Sequence, residues 1–421
     1  MQPHKIVIVG AGFGGMQAAK SLTHANVEIT IVDRRNHHLF QPLLYQVATT
    51  LLATSEIAWP IRSVFRNRPE ISTVLGEVVG VDRNDRRVLL RDGHAIPFDT
   101  LVLATGARHA YFGRDEWEPF APGLKALEDA TTIRRRLLLA FERAELETDP
   151  KAREALLTFA IIGGGPTGVE LAGIIAQLAN HTLVKEFRSI DTRSSRIVLV
   201  EAGARVLPAF HPDLSAYAER ALAKIGVTIR TGTPVTSCGE DGIHIGEEFV
   251  PTATVIWAAG VQASKAGQWL NCPTDRAGRV IVEPDLTVAG MPHVFVIGDT
   301  AQVKGPDGNP VPGIAPAAKQ QGAYVANVIL ARLLRRSTPP PFRYRHLGNL
   351  ATIGPSAAVI ELGRIRLKGW LAWWIWGLAH IYFLIGTRSR MAVALSWVWT
   401  AITGLHSARL ITQKETLKNE V

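Results

Sequence analysis

The feature that most constrains this chain is one architectural unit written twice. Residues 5–9 (KIVIV) form a short β-branched run, followed by the turn Gly10-Ala11-Gly12-Phe13-Gly14-Gly15, a helical stretch, and an apolar strand over 27–32 that ends on Asp33. The order returns with residues 158–162, the turn Gly163-Gly164-Gly165-Pro166-Thr167-Gly168, another helix, and a strand over 196–200 ending on Glu201. Each copy then runs through a β-rich stretch (71–90 and 226–250) to an apolar strand closing on Ala104-Thr105-Gly106 or Ala258-Ala259-Gly260. The pattern predicts an α/β chain with two Rossmann-like dinucleotide-binding domains.

The glycines of such a turn have separate tasks. The first (Gly10, Gly163) permits the tight bend, the second (Gly12, Gly165) lets the backbone approach a pyrophosphate, and the third (Gly15, Gly168) allows close helix–strand packing. Helix N-terminal amides face the phosphates and stabilise their charge. The acid on the next strand, Asp33 or Glu201, suits ribose hydroxyls. Glu201 argues for NADH, because a carboxylate there repels the extra phosphate of NADPH. Arg205 weakens that argument, although an exposed, salt-bridging arginine is the commoner role. The interval from Gly168 to Glu201 exceeds the usual spacing of about 20 residues, and an inserted helical loop over 181–194 is expected to take up the surplus.

Composition narrows the remaining possibilities. The 421 residues suffice for two or three domains with cores of their own. Hydrophobic residues at 47% and charged residues at 20% set disorder aside. A net charge of +9 is compatible with nucleic acid, an anionic membrane face or acidic ligands. Its placement beside a tryptophan-rich tail points to the membrane, with no nucleic-acid partner. The two cysteines, Cys238 and Cys272, are too few and too far apart for a CxxC motif, a zinc site or a disulfide scaffold. A reduced, cytosol-facing protein fits. His37 and His38 lack any partner spacing for a metal and read as turn or loop residues, so no metal is expected. The N-terminus runs straight into a strand with no cleavage site before it, so no secretion signal is expected.

Between the two copies lies a polar helical connector near 126–154. After the second come residues 294–299 (VFVIGD), a Pro/Gly-rich loop over 305–316, a helix from about 317 to 335, and the linker Pro339-Pro340-Pro341. The tail reads GWLAWWIWGLAHIYFLIG over 369–386, then Arg388, Arg390 and MAVALSWVWTAIT, and holds six of the ten tryptophans. Each apolar piece is short or borderline beside the roughly 20 residues of a spanning helix. Tryptophan favours the headgroup boundary, and Arg364, Arg366, Lys368, Arg388 and Arg390 can meet anionic lipid. Two helices lying partly in one leaflet are expected, so the lipid bilayer surface is a partner. A buried hairpin or a dimer interface explains the same composition.

Two such folds in one chain, with VFVIGD after the second, resemble the pyridine-nucleotide flavoprotein superfamily. The resemblance implies that the first fold holds FAD, the second holds NAD(P)H, and the chain returns to complete the FAD domain. Finer motifs resemble type II NADH:quinone oxidoreductases, the single-subunit, non-pumping NADH dehydrogenases. Residues 36–48 (NHHLFQPLLYQVA) resemble their segment lining the flavin, 163–170 (GGGPTGVE) carries their Glu170, and 315–322 (APAAKQQG) resembles their quinone-site helix start. The tail resembles their membrane-binding region. One departure is Pro316, which stands where some members have the first glutamine of AQxAxQQG. A contact by that glutamine does not carry over, whereas Gln320 and Gln321 match. Proline itself suits a first helical turn.

The resemblance implies an FAD domain over 1–115, a helical connector over 116–150, an NADH domain over 151–275, a second part of the FAD domain over 276–340, and a membrane-anchoring and dimerising region over 341–421. Cofactor contacts are implied at Gly10, Gly12, Phe13, Gly14, Gly15, Asp33, Arg34, Gln41, Tyr45, Ala104, Thr105, Gly106, Gly163, Gly165, Thr167, Gly168, Glu201, Gly260, Gly298, Asp299, Ala317 and Ala318. Catalytic roles are implied at Glu170, Gln320 and Gln321. NADH would deliver hydride to flavin N5, and the reduced, anionic flavin would pass two electrons to a membrane quinone. The cofactor performs the chemistry while the protein supplies position and field. The helix starting near Pro316 and Ala317 would stabilise the reduced anion by about 0.3–2 kcal/mol.

Glu170, expected in the first turn of the second nucleotide helix, either complements the helix dipole or orients the nicotinamide and relays protons. The expected location is the cytoplasmic face of the cell membrane, as a homodimer. Two other readings share most of the signature: a soluble reductase serving a ferredoxin-like protein, and an NADH-binding flavoprotein whose redox state controls a partner.

Overall fold

The structure, a computed structural model, describes residues 2–23, 25–305 and 308–412. Pro306 and Asp307 of the Pro/Gly-rich loop and residues 413–421 lie outside the described residues. The chain forms two compact units. One comprises Met1–Leu39, Ala58–Arg108 and Val261–Leu347, the other Phe40–Ile57, His109–Gly260 and Gly348–Val421.

The first unit is built on a six-stranded sheet in the order Thr287–Val288, Met291–Val296, Thr100–Leu103, His4–Val9, Val27–Asp33, Ile71–Leu75. Its strands pair in parallel except for the first two. Near-continuous Val/Ile/Leu runs form these strands because both sheet faces are covered; Ile8, Ile29, Ile31 and Leu101 are fully buried. The helices Phe13–Ser21 and Ala315–Leu333 pack together so closely that a Cβ on Gly322 would sit 2.2 Å from the Gly14 carbonyl oxygen. The β-rich stretch is a three-stranded antiparallel sheet of Val78–Asp82, Arg87–Leu90 and Ala95–Pro97.

The second unit repeats this plan. Four parallel strands run in the order Val227–Thr231, Arg196–Glu201, Thr158–Ile162, Thr254–Trp257, beside a second antiparallel trio, Val235–Cys238, Gly242–Ile245 and Glu248–Pro251. The repeat extends to individual hydrogen bonds. Gly10 N donates to Val32 O and Ala104 N to Val9 O, as Gly163 N donates to Val200 O and Ala258 N to Ile162 O, all within 2.7–2.8 Å.

The connector is two helices, Leu127–Leu146 and Pro150–Leu156, both in the second unit. Phe141 meets Phe159 with ring centroids 5.2 Å apart. The helix Leu44–Ala48 packs on this connector, and Arg134 clamps the segment by donating to the carbonyls of Val47 (2.7 Å) and Leu52 (3.0 Å).

The surplus before Glu201 is not an inserted helical loop. It consists of a π turn, Leu178–Thr182, and a 3-10 turn, Thr192–Ser194, joined by irregular chain. Glu145 accepts the amides of Arg188, Ser189 and Ile190, so this backbone is satisfied without a helix.

A third antiparallel sheet, Asn349–Thr352, Ala358–Leu362 and Ile365–Gly369, lies on the helix Pro166–Gln177. There a Cβ on Gly173 would stand 2.5 Å from Gly354 N. The tail helices Trp370–Phe383 and Thr387–Thr403 follow. Their inward residues include Ala372, Trp376 and Val393. Their outward stripes, Leu371, Trp374, Leu378 and Tyr382 on one and Met391, Leu395, Val398 and Ile402 on the other, are apolar and exposed. Among the described residues no helix is long and apolar enough to cross a membrane.

Candidate dinucleotide and proton-transfer sites

The two glycine turns have the same steric design. Gly10 (φ +102°) and Gly163 (φ +114°) adopt a backbone that side chains resist, and a Cβ would stand 2.3 Å from Ala104 O at the first and 2.7 Å from Ala258 C at the second. At the third glycines, a Cβ on Gly15 would fall 1.9 Å from Gly10 O, and one on Gly168 would fall 1.8 Å from Gly163 O. The middle glycines differ: nothing lies within 4 Å of a Cβ built on Gly12 or Gly165. Each turn is therefore walled at two corners and open at the one where a pyrophosphate must approach.

The terminal acids brace these turns. Asp33 accepts from Ala11 N (2.7 Å) and Arg35 N (2.8 Å); Glu201 accepts from Gly164 N (2.6 Å) and Gly203 N (2.7 Å). In both, the carboxylate holds the residue after the first glycine, which places a negative charge at the lip of the cradle. Arg205 donates to Pro208 O at 3.0 Å instead of reaching a carboxylate.

Within the first unit, Gly298, Asp299, Gly313, Ala317, Ala318 and Gln321 line a cleft. The helix Ala315–Leu333 begins at it, with Pro316 in the first turn, where the helix amides have no partner within the helix. Gln321 Oε1 accepts from Gly298 N (2.6 Å), holding the Gly298–Thr300 turn. Thr105 Oγ1 lies 3.2 Å from Thr300 Oγ1 and 2.5 Å from Ser264 Oγ, and Thr300 Oγ1 donates to Gly106 O. Gln320 exchanges two 2.9 Å hydrogen bonds with the backbone of Arg345, so its amide is committed away from the cleft. Arg34 is exposed and faces Glu77.

His38 departs from its expected loop role. It lies in the short strand His37–Leu39, its Nδ1–H donates to Ala11 O (2.8 Å), and its ring meets Phe13 edge-on at 5.1 Å. Burial pushes its pKa down to about 4 and keeps it neutral. Among the described residues no group of three or more His, Cys, Asp or Glu is placed to hold a metal.

The second unit gathers Thr167, Glu170, Glu201, Gly260, Gln41 and Tyr45. Gln41 opens a 3-10 turn, Gln41–Leu43, that leads into the helix of Tyr45. Because the second nucleotide helix begins at Pro166, Glu170 lies in its second turn and not its first. The dipole role weakens there, since the effect falls off within the first turn. Instead Glu170, partly buried, faces Tyr45 and Thr352, and the loss of solvent there pushes its carboxyl pKa up to about 8. Thr352 N donates to it at 3.4 Å. Tyr45 is buried, and its phenol is held far above its usual range by burial and by Glu170.

Sequence reasoning did not single out Thr352, which carries no motif and reaches the site by strand pairing, nor Trp397. It grouped Trp397 with the lipid-facing tryptophans, but its Nε1–H donates to Gln46 Oε1 at 2.7 Å. Trp376 is also turned inward, while Trp370, Trp374 and Trp399 are exposed.

Doubled cradles of this kind define an oxidoreductase built around two dinucleotides, and a family model for pyridine nucleotide-disulphide oxidoreductases matches residues 4–322. A model for the NDH2 C-terminal domain matches residues 346–406. A type II NADH:quinone oxidoreductase of Mycobacterium tuberculosis is 42% identical over 98% of this chain and 91% of its own length. Another from Staphylococcus haemolyticus is 29% identical over 86% of this chain and 90% of its own. The solved structure of NDH2 from Plasmodium falciparum in complex with NADH matches with a TM-score of 0.88 at 20% identity, covering 97% of this chain and all of that one, a likeness of fold. The chain belongs to the type II NADH:quinone oxidoreductases, within the pyridine nucleotide-disulphide oxidoreductase family.

Proposed function

We infer that the protein oxidises NADH and reduces a quinone by two electrons, using FAD. The observation that carries this reading is the pair of complete dinucleotide cradles in a chain without a CxxC cysteine pair, so electrons have no enzyme dithiol to pass through.

The residues present fit FAD. The open face at Gly12 leaves room for its pyrophosphate, Asp33 stands at the lip for its ribose, and the cleft of Asp299, Ala317 and Ala318 lies in the same unit. When bound there, FAD supplies the two-electron chemistry that connects NADH to the quinone. The turn 163–168 and Glu201 hold NADH, the carboxylate disfavouring the additional phosphate of NADPH. The helix N-terminus at Ala315–Leu333 favours negative charge in the cleft. Its Gln321 lines the cleft and is held there through Gly298 N, which leaves the amide nitrogen as the group suited to donate to a quinone carbonyl. The overall balance, NADH + H⁺ + quinone → NAD⁺ + quinol, takes one proton from the medium. Glu170, protonated at neutral pH, is the group suited to deliver it.

The tail helices supply the membrane address in this reading. Their exposed apolar stripes, flanked by the exposed Arg364, Arg366, Lys368, Arg388 and Arg390, suit one anionic leaflet. The enzyme then works as a peripheral protein at the cytoplasmic face, where NADH is found, and pairs as a homodimer through the same end. Anaerobic mixing of the purified protein with NADH and then quinone, followed by flavin absorbance, tests the reading. Bleaching by NADH and recovery on quinone are expected, and bleaching without recovery would overturn the acceptor.

A further inference from the structure

A relay of hydrogen bonds in the second unit, buried in its middle, begins on a tail helix and ends at Glu170. Trp397 Nε1 donates to Gln46 Oε1 (2.7 Å), Gln46 Nε2 donates to Tyr45 Oη (3.1 Å), Tyr45 Oη meets Thr352 Oγ1 (3.1 Å), and Thr352 N donates to Glu170 (3.4 Å). Its direction is set at the tail end. An indole N–H can only donate, so it fixes the oxygen of Gln46 as acceptor and turns the amide NH₂ towards Tyr45. The phenol oxygen then accepts from Gln46, and its own proton is satisfied by pointing at Thr352 Oγ1. Tyr45 and Gln46 are both buried, so a reversed amide would leave polar atoms without partners.

Two groups face Glu170. Tyr45 comes from the helix Leu44–Ala48 and Thr352 from the strand Asn349–Thr352; among the described residues Tyr45 is the titratable one of the pair. Among the described residues, loss of solvent raises the proton affinity of Glu170 and the Thr352 N–H opposes that rise.

We propose that Trp397 is a positioning residue for Glu170: by orienting Gln46, Tyr45 and Thr352 it holds the Thr352 N–H on the carboxyl and thereby tunes the proton that Glu170 exchanges during quinone reduction. The proposal rests on the reading of Glu170 given above. It gives one tryptophan of the tail a task in the reaction, while its neighbours Val398 and Trp399 on the same helix stay exposed.

The test is Trp397→Phe in the full-length holoenzyme, which keeps a six-membered aromatic ring against Trp376 while removing the indole donor with its five-membered ring. The infrared band of the protonated Glu170 carboxyl, assigned by its loss in Glu170→Gln, is titrated in both proteins. Losing the donor lets the Thr352 N–H drift from the carboxylate, so the midpoint is expected to move upward. The shift should correspond to about a fivefold change in proton affinity, the worth of one neutral hydrogen bond. The pH profile of flavin reoxidation by quinone should move in the same direction. Gln46→Leu, which removes both the acceptor for Trp397 and the donor to Tyr45 without adding a second carboxyl, is a second variant should Trp397→Phe fold poorly, and is expected to shift the band likewise. An unmoved band and profile in a folded variant would overturn the proposal. Absence of quinone-driven reoxidation in the wild-type protein would instead overturn the reading beneath it.

Discussion

A raised carboxyl pKa and depressed imidazole pKa values are statements about stability as well as function. Glu170 holds a proton up to about pH 8 in the folded chain, against an ordinary value of 4.5. Between those values the native state binds more protons than the unfolded state, so this group's contribution falls as pH rises. Glu170→Gln removes that cost. Its thermal midpoint relative to wild type is expected to climb steadily from pH 5 to pH 8, and a pH-independent difference would contradict the burial. The same variant is expected to slow quinone-driven flavin reoxidation by about 10²-fold, the usual scale of a lost general acid. His38 and His406 act in the opposite window. Both are buried and held neutral to about pH 4, so below pH 6.5 the unfolded state takes up protons that the native state refuses. Each should steepen acid destabilisation by up to about 1.4 kcal/mol per pH unit between pH 6.5 and 4. His406→Asn should flatten the stability profile in urea titrations across that range.

At the scale of the element, the glycine turns separate folding from binding. A methyl group at Gly168 must enter the space of Gly163 O, and overpacking of that kind costs about 1–3 kcal/mol or more. Gly168→Ala is therefore expected to lower the unfolding midpoint with or without nucleotide. Gly165→Ala meets open space and should fold as the wild type does. Its methyl group would occupy the face left for the pyrophosphate and weaken NADH binding by about tenfold, or roughly 1.4 kcal/mol. Equal destabilisation by the two substitutions, measured by denaturation and by nucleotide titration, would refute this division of labour.

At the scale of the whole chain, the residues after Pro341 serve two ends at once. They supply the strand Asn349–Thr352 and the close contact of Gly354 with Gly173 on the second nucleotide helix, so deleting the tail would also damage that unit. Membrane attachment is better tested on the outward stripe. Replacing Trp374, Leu395 and Ile402 together with serine should leave the thermal midpoint near that of wild type while releasing the protein from anionic vesicles in flotation assays. Retention of the folded triple variant on vesicles would count against the address. Added salt should weaken binding further, since screening reduces the part carried by Arg388 and Arg390.

Much of the molecule was legible in local pattern. Both strand–turn–helix units, the acids that close them and the two tail helices follow from apolar periodicity and glycine placement, which act over a few residues and leave their record in order along the chain. The polar connector expected near 126–154 is likewise helical. The assignments that needed the folded chain are those that depend on what comes near from far away. Glu170 became a carboxyl of raised proton affinity because the folded chain brings Thr352 and Tyr45 against it. Trp397 turned from lipid towards Gln46, His38 left an expected loop for a buried strand, and Gln320 and Gln321 took different partners although they are adjacent. Proton affinity and hydrogen-bond direction are set by desolvation and by partners hundreds of residues distant, and no window of neighbouring residues records them.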